Sequence, residues 1–204
     1  MIGIVDYGSG NIAAISNIYK HLRLPFMVSG DPAELREADR YILPGVGAFD
    51  RVMADLSQLG IIKMLEDEVI VKGKKAMGIC VGMQILADSS EEGAGSGLGW
   101  IPGRVRRIDA TRFNRAPKLP HMGWNSIQPV GSLPIFKDVD VAQGFYFLHS
   151  YFFDPESEDD VIATVNYGGD LVCGVCRKNV FGFQFHPEKS HTNGLAIFKN
   201  FAEI

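Results

Sequence analysis

Lys75-Ala76-Met77-Gly78-Ile79-Cys80-Val81-Gly82-Met83-Gln84-Ile85-Leu86-Ala87 is the stretch on which the fold turns. Lys75 to Ile79 is a short apolar run without a helical break, the pattern of a strand buried on both faces. Val81 to Ala87 reads as the helix that follows. A strand entering a helix through Gly-x-Cys-x-Gly matches a nucleophile elbow, with cysteine in the serine position. Its glycines serve a turn in which neighbouring backbone comes too close for side chains. The same turn lifts the Cys80 sulfur to a helix N-terminus, where the dipole favours thiolate.

The chain on either side extends this pattern. Ile2-Gly3-Ile4-Val5 reads as a buried strand that stops at Asp6-Tyr7-Gly8-Ser9-Gly10. Asn11 is a candidate cap for a helix with Ile12, Ile15, Tyr19 and Leu22 on one face. Phe26-Met27-Val28 is a second strand, Ala33 to Ala38 a short helix, and Tyr41-Ile42-Leu43 a third strand, halted by Pro44-Gly45-Val46-Gly47. Helical segments follow around Phe49 to Leu56 and Ile61 to Val71. Strand–helix alternation of this kind predicts an α/β, flavodoxin-like fold with a mostly parallel central sheet flanked by helices.

Beyond Trp100 the runs Val105 to Ile108, Phe145 to Phe153, Val161 to Val165 and Val180 to Phe185 are short, β-rich and punctuated by turn residues. They are expected as antiparallel strands added to the same sheet. Asn193 to Phe201 reads as a closing helix, and Gly93 to Gly99 as a loop free to move. Without repeat, linker or low-complexity tract, residues 1–204 read as one domain.

Composition narrows the function. With 46 % apolar and 22 % charged residues the 204-residue chain has a globular, not a disordered, make-up. A net charge of −4 without a basic block argues against a nucleic-acid partner. The charge-free run Ala76 to Ala87 is too short to cross a bilayer. Three cysteines make no disulfide framework and suit a reducing cytoplasm, and Met1 to Asp6 has no signal-peptide pattern.

A cysteine nucleophile needs a base, and the base an orienting group. Phe183-Gln184-Phe185-His186-Pro187-Glu188 offers both: Pro187 favours extended backbone, which would project His186 and Glu188 to one side. Acyl transfer also needs donors for an oxyanion. The backbone of Gly45, Val46 and Gly47 and the N–H of Val81 are the candidates. Two other patterns compete. Gly8-Ser9-Gly10-Asn11-Ile12-Ala13 fits a relaxed dinucleotide fingerprint with Asp31 downstream. Cys173 and Cys176 sit three apart on a strand, hence on opposite faces, and are read as packing residues. No metal site is expected.

Gly78-Ile-Cys-Val-Gly-Met-Gln84, Phe185-His-Pro-Glu188 and Pro44-Gly-Val-Gly47 together resemble the class I, or triad-type, glutamine amidotransferases. The resemblance implies that Cys80 attacks the side-chain amide of L-glutamine, His186 moves the proton, Glu188 holds the imidazole, and water hydrolyses a glutamyl thioester, with no cofactor. It implies that Gln84, Glu92, Ser150 and Tyr151 bind glutamine.

Longer motifs, Asp6-Tyr-Gly-Ser-Gly-Asn11, Pro120-His-Met-Gly-Trp-Asn125, Tyr146-Phe-Leu-His-Ser-Tyr151 and His186-Pro-Glu-Lys-Ser190, resemble the branch of the family that feeds ammonia to a (β/α)₈-barrel cyclase in histidine biosynthesis. That implies a heterodimer contacted through Asn11, Trp124, Tyr146 and Lys189, and an oxyanion loop unproductive until the barrel binds its ligand. Related glutaminases serve a similar barrel that amidates a sugar in surface-polysaccharide synthesis. A cysteine-elbow esterase is disfavoured because its acid would precede the histidine. A dinucleotide-binding module is the remaining rival.

Overall fold

A computed structural model of the chain describes residues 1–109, 111 and 119–204. Its first half alternates strand and helix: β1 (Ile2–Val5), α1 (Ile12–Leu22), β2 (Phe26–Ser29), α2 (Pro32–Leu35), β3 (Arg40–Gly45), α3 (Phe49–Gln58), α4 (Ile61–Leu65), β4 (Lys75–Cys80) and α5 (Val81–Gln84). A π-helical segment, Glu66–Val71, continues α4. There follow β5 (Ser89–Ser90), β6 (Gly103–Arg107), β7 (His121–Asn125), β8 (Gln128–Pro129), β9 (Phe145–His149), β10 (Tyr151–Pro155), β11 (Val161–Asn166), β12 (Asp170–Arg177), β13 (Val180–Phe183) and α6 (His191–Glu203).

The main sheet has eight strands in the order β2-β1-β3-β4-β13-β12-β11-β8. The first five run parallel and the last three antiparallel. β1, β3 and β4 are buried along nearly their whole length, as the apolar runs require. One consequence locates the site. Neighbours β1, β3, β4 and β13 all end at one edge, so the segments after them (Tyr7 to Asn11, Val46 to Gly47, Val81 and Gln184 to Glu188) emerge side by side, where open α/β sheets place ligands.

Several expectations need correction. The second-half strands do not all join the main sheet: β10-β6-β5 and β7-β9 form two further sheets. The run Phe145 to Phe153 is split at Ser150, where the chain leaves one small sheet for the other. The helix after the elbow ends at Gln84 rather than Ala87. The N–H groups of Leu86 and Ala87 reach back only three residues, to Met83 O and Gln84 O, and the N–H of Asp88 goes to Gly103 O, which ends the α-helical ladder. The carbonyls of Ile85, Leu86 and Ala87 accept from the N–H groups of Leu98, Trp100 and Gly99. That bonding also ties down the glycine-rich loop, whose Ala94 and Gly95 amides donate to the Asp50 carboxylate at 2.9 and 3.1 Å. Among the described residues no helix is long and apolar enough to cross a membrane.

Candidate active site

The elbow is built from glycines of the adjacent strands β3 and β4 and of the first turn of α5. A Cβ on Gly82 would stand 1.8 Å from the Leu43 carbonyl oxygen, one on Gly78 2.2 Å from Gly82 O, and one on Gly45 2.3 Å from Gly82 N. Backbone touches backbone at this point, and Cys80 is driven to φ 55°, ψ −111°, a conformation that L-residues rarely adopt. Its sulfur faces a cavity of about 290 Å³. α5 is a single turn, so the macrodipole expected to support a thiolate has few peptides to sum.

His186 lines the same cavity. It lies after β13, buried, with Phe185 stacked on Phe145 of β9 at 3.9 Å between ring centroids. Glu188 is not placed by strand alternation, because Pro187–Lys189 forms a 3₁₀ turn. That turn still brings Glu188 Oε1 to 2.8 Å from His186 Nδ1, which donates to it. The other ring nitrogen is thereby left for the sulfur. Burial opposes the charged ring, but hydrogen bonding and charge from Cys80 and Glu188 outweigh it and hold the His186 pKa up at about 10. Burial likewise works against the Glu188 carboxylate, yet the hydrogen bond and charge of His186, with Asn11 assisting, keep its pKa below the ordinary glutamate value.

Asn11 therefore does something other than cap α1. Its side chain makes no cap bond; Nδ2 donates to Glu188 Oε1 at 2.8 Å. The whole loop after β1 lies against the site. The Tyr7 hydroxyl donates to Pro44 O, the Ser9 hydroxyl donates to Val46 O at 2.5 Å, and Ser9 Oγ accepts from Val46 N at 3.2 Å. Gly10, at φ +96°, lies so close to Pro44 that a Cβ would be 2.6 Å from the ring. Of the two glycines that mimic a dinucleotide fingerprint, Gly10 is closed off by Pro44, whereas a Cβ on Gly8 would meet nothing within 4 Å.

Val46, Gly47, Val81, Gln84, Glu92, Ser150, Tyr151 and Lys189 also line the cavity, together with Pro120, Leu148 and His149. Gly45 lies beneath, in register with Cys80. Gln84 Nε2 donates to Tyr151 O at 3.2 Å and to Gln184 Oε1 at 3.0 Å. Glu92 Oε2 accepts from Phe49 N at 2.9 Å, capping α3. Trp124 and Tyr146 stand outside the cavity. Trp124 is 44 % exposed on β7 and stacks on His191 at 5.2 Å, while Lys189 Nζ sits 5.4 Å from the centre of the half-buried Tyr146 ring. Cys173 and Cys176 are free thiols, and burial pushes the Cys176 pKa up to about 11 and Cys173 higher still.

Sequence reasoning did not single out Ser9, Gln184, His121 or His149 as site residues. Gln184 alternates with two phenylalanines on an apolar strand end, and a buried amide there had to find a partner. That was the available signal. For Ser9 there was none, since its partner is a backbone group from a distant loop.

The sequence profile described as "Glutamine amidotransferase class-I" matches residues 4–204. The chain belongs to that family. Among similar class-I glutamine amidotransferase sequences, "Imidazole glycerol phosphate synthase subunit HisH" of Bdellovibrio bacteriovorus is 50 % identical over 209 residues, covering all of both chains. The subunit of the same description from Leptospira borgpetersenii is 47 % identical over 204 residues, again with full coverage of both. Among solved structures, a "putative gmp synthase subunit a protein" from Thermoplasma acidophilum superimposes with TM-score 0.72 at 20 % identity, over 99 % of this chain and 92 % of that one. That last likeness concerns the fold of the class-I amidotransferases alone.

Proposed function

We propose that the chain is the glutaminase subunit of an imidazole glycerol phosphate synthase, acting in histidine biosynthesis. The observation that carries the chemistry is the meeting of Cys80 with the His186–Glu188 pair in one cavity beneath the Pro44–Gly47 loop. The full-length relatives named as subunits of that synthase support the pathway over sugar amidation.

In this reading the Cys80 sulfur bonds to the side-chain carbonyl carbon of glutamine, and the carbonyl π electrons move to oxygen. Protonated His186 gives its proton to the amide nitrogen, the C–N bond breaks, and ammonia leaves a glutamyl thioester. His186 then takes a proton from water, the hydroxyl adds to the thioester, and C–S cleavage frees glutamate and restores the thiolate. Glu188 keeps the imidazole oriented throughout. Gln84 lines the cavity with both N–H groups committed within the protein, and its buried Oε1 has no hydrogen-bond partner among the described residues.

Val81 N–H serves the oxyanion. The amide of Val46 bonds to Ser9 instead, so its use there requires the loop to turn. A partner that favours the turned loop would raise turnover by shifting this balance. Free ammonia is protonated in neutral water and loses its nucleophilicity, which makes direct transfer to a partner, a (β/α)₈-barrel cyclase in the resembled branch, chemically sensible. Asn11, Trp124, Tyr146 and Lys189 are assigned to that contact; exposed Trp124, with Met122 two residues away on the same face of β7, is the natural anchor. The test is Cys80→Ala in the reconstituted complex. Glutamine-dependent product formation should vanish while ammonium salts still support it, and a mutant that continued to use glutamine would overturn the proposal.

A further inference from the structure

We propose that Gln184 is the hydrogen-bond donor that stabilises the Cys80 thiolate, aimed at the sulfur through Gln84 by the backbone carbonyl of Tyr151. The inference rests on the thiolate chemistry proposed above and deepens it. Gln184 is fully buried, and its Nε2 lies 3.8 Å from Cys80 Sγ, an N–H···S separation. Among the described residues the sulfur is the acceptor that this N–H group has.

Which end of the Gln184 amide faces the sulfur is settled by groups farther away. Tyr151 O is a backbone carbonyl and can only accept, so the Gln84 atom 3.2 Å from it is the NH₂ group. The second N–H of that group points at Gln184, 3.0 Å away, which must answer with its oxygen. The Gln184 nitrogen is left for Cys80.

The same carbonyl receives a second donor, His149 Nδ1–H, at 2.8 Å. His149 Nε2 is then a bare acceptor, so His121 Nδ1 carries the proton across their 2.9 Å contact. His121 Nε2 in turn accepts from Asn125 Nδ2 at 3.3 Å, and the same Nδ2 donates to Asn166 O at 3.0 Å. Two backbone carbonyls, Tyr151 O and Asn166 O, thus set the direction of every bond between them. From Gln184 the sulfur meets a donor and not the amide oxygen. Another polar neighbour, Leu148 O at 3.9 Å, can only accept from the thiol, so of the two Gln184 is the contact that favours the ionised form. A donor to an ionised acceptor is roughly twice as strong as one to a neutral acceptor, so this bond favours thiolate over thiol. With α5 only one turn long, the site has need of it.

The titratable groups facing Cys80 are His186 after β13 with Glu188 behind it, Tyr7 from the loop after β1, His149 from β9, and Glu92, Tyr151 and Lys189 in the cavity wall. The test leaves all of them in place. On the purified full chain, the iodoacetamide alkylation rate of the Cys80 peptide is followed by mass spectrometry from pH 4 upward, in wild type, Gln184→Met and Gln184→Glu. Each variant's folding is verified by cooperative melting.

In Gln184→Met the inflection should move up by about one pH unit, a rate about tenfold lower on the acidic side, and in Gln184→Glu it should move further. Inflections unmoved in the folded variants would overturn the proposal. Should neither variant fold, the wild-type protein decides. The side-chain amide resonances of Gln184 should shift through the same inflection as the alkylation rate, and resonances indifferent to it would refute the assignment. No readout uses glutamine turnover, so a failure here is distinguishable from a failure of the glutaminase reading.

Discussion

Acidification from pH 7 to pH 5 should destabilise the fold by about 2 kcal/mol, mainly through the buried His121–His149 pair. Burial pushes His149 down to about 3, with nearby His121 and His186 adding to the effect, and burial pushes His121 down to about 4. Unfolded histidine titrates near 6.5. The unfolded chain therefore takes up protons that the folded pair refuses. The stability from these rings is fully present above about pH 6.5 and is lost as pH falls toward 4 and 3.

Between pH 7 and 5 His149 accounts for about 2 kcal/mol. His121, which lies in the small β7–β9 sheet, is counted at half strength, about 1 kcal/mol. His186 acts in the opposite sense. Held up at about 10, its contribution is fully present below about pH 6.5 and lost as pH rises toward 10, so acidification returns slightly under about 1 kcal/mol. Glu68 leaves the window clear: burial opposes its charge, but Lys72, Lys74 and Arg36 hold it at about 2. The assay is urea unfolding at pH 5, 6 and 7 for wild type and His149→Asn, whose amide keeps a donor for Tyr151 O without titrating. The variant should lose most of the pH dependence. An equal slope in both proteins would refute the reasoning.

Three further perturbations follow from particular contacts. Ser9→Ala removes the group that holds the Val46 amide; at about 1 kcal/mol for the bond, partner-free glutaminase turnover should rise roughly fivefold, checked by glutamate release. Gly82→Ala forces a Cβ against the Leu43 carbonyl and should destabilise by about 3 kcal/mol or more, measured by denaturant midpoint. Trp124→Ala should change the melting temperature little, since the side chain is exposed, yet weaken binding of the proposed partner subunit by about 2 kcal/mol in calorimetry.

The first half of the fold is legible because parallel strands buried on both faces are continuous apolar runs, and β1, β2 and β3 stop at aspartate, glycine or proline. The second half is less so. Phe145 to Phe153 carries one uninterrupted β-rich pattern, and nothing local says that Ser150 passes the chain from one sheet to another. The end of α5 differs for a related reason: the N–H of Asp88, which a helix through Ala87 would need for Gln84 O, is taken by Gly103 O, a tertiary event invisible to helical periodicity. His186 and Glu188 were expected together and do meet, though through a 3₁₀ turn rather than an extended strand. Asn11 reads as a helix cap, while its side chain makes no cap bond and donates to the Glu188 carboxylate. Short-range chemistry reads well from sequence; the identity of a distant hydrogen-bond partner does not.

The crowding of Gly45, Gly78 and Gly82 bears on how this protein could be altered. Because main chain rests on main chain there, no single replacement can raise, lower or tilt the reactive atom by a fraction of an ångström. A designer could exchange the sulfur for an oxygen, or refit the walls that grip the substrate. The pedestal beneath admits no such adjustment: it must be kept whole or rebuilt from both strands at once.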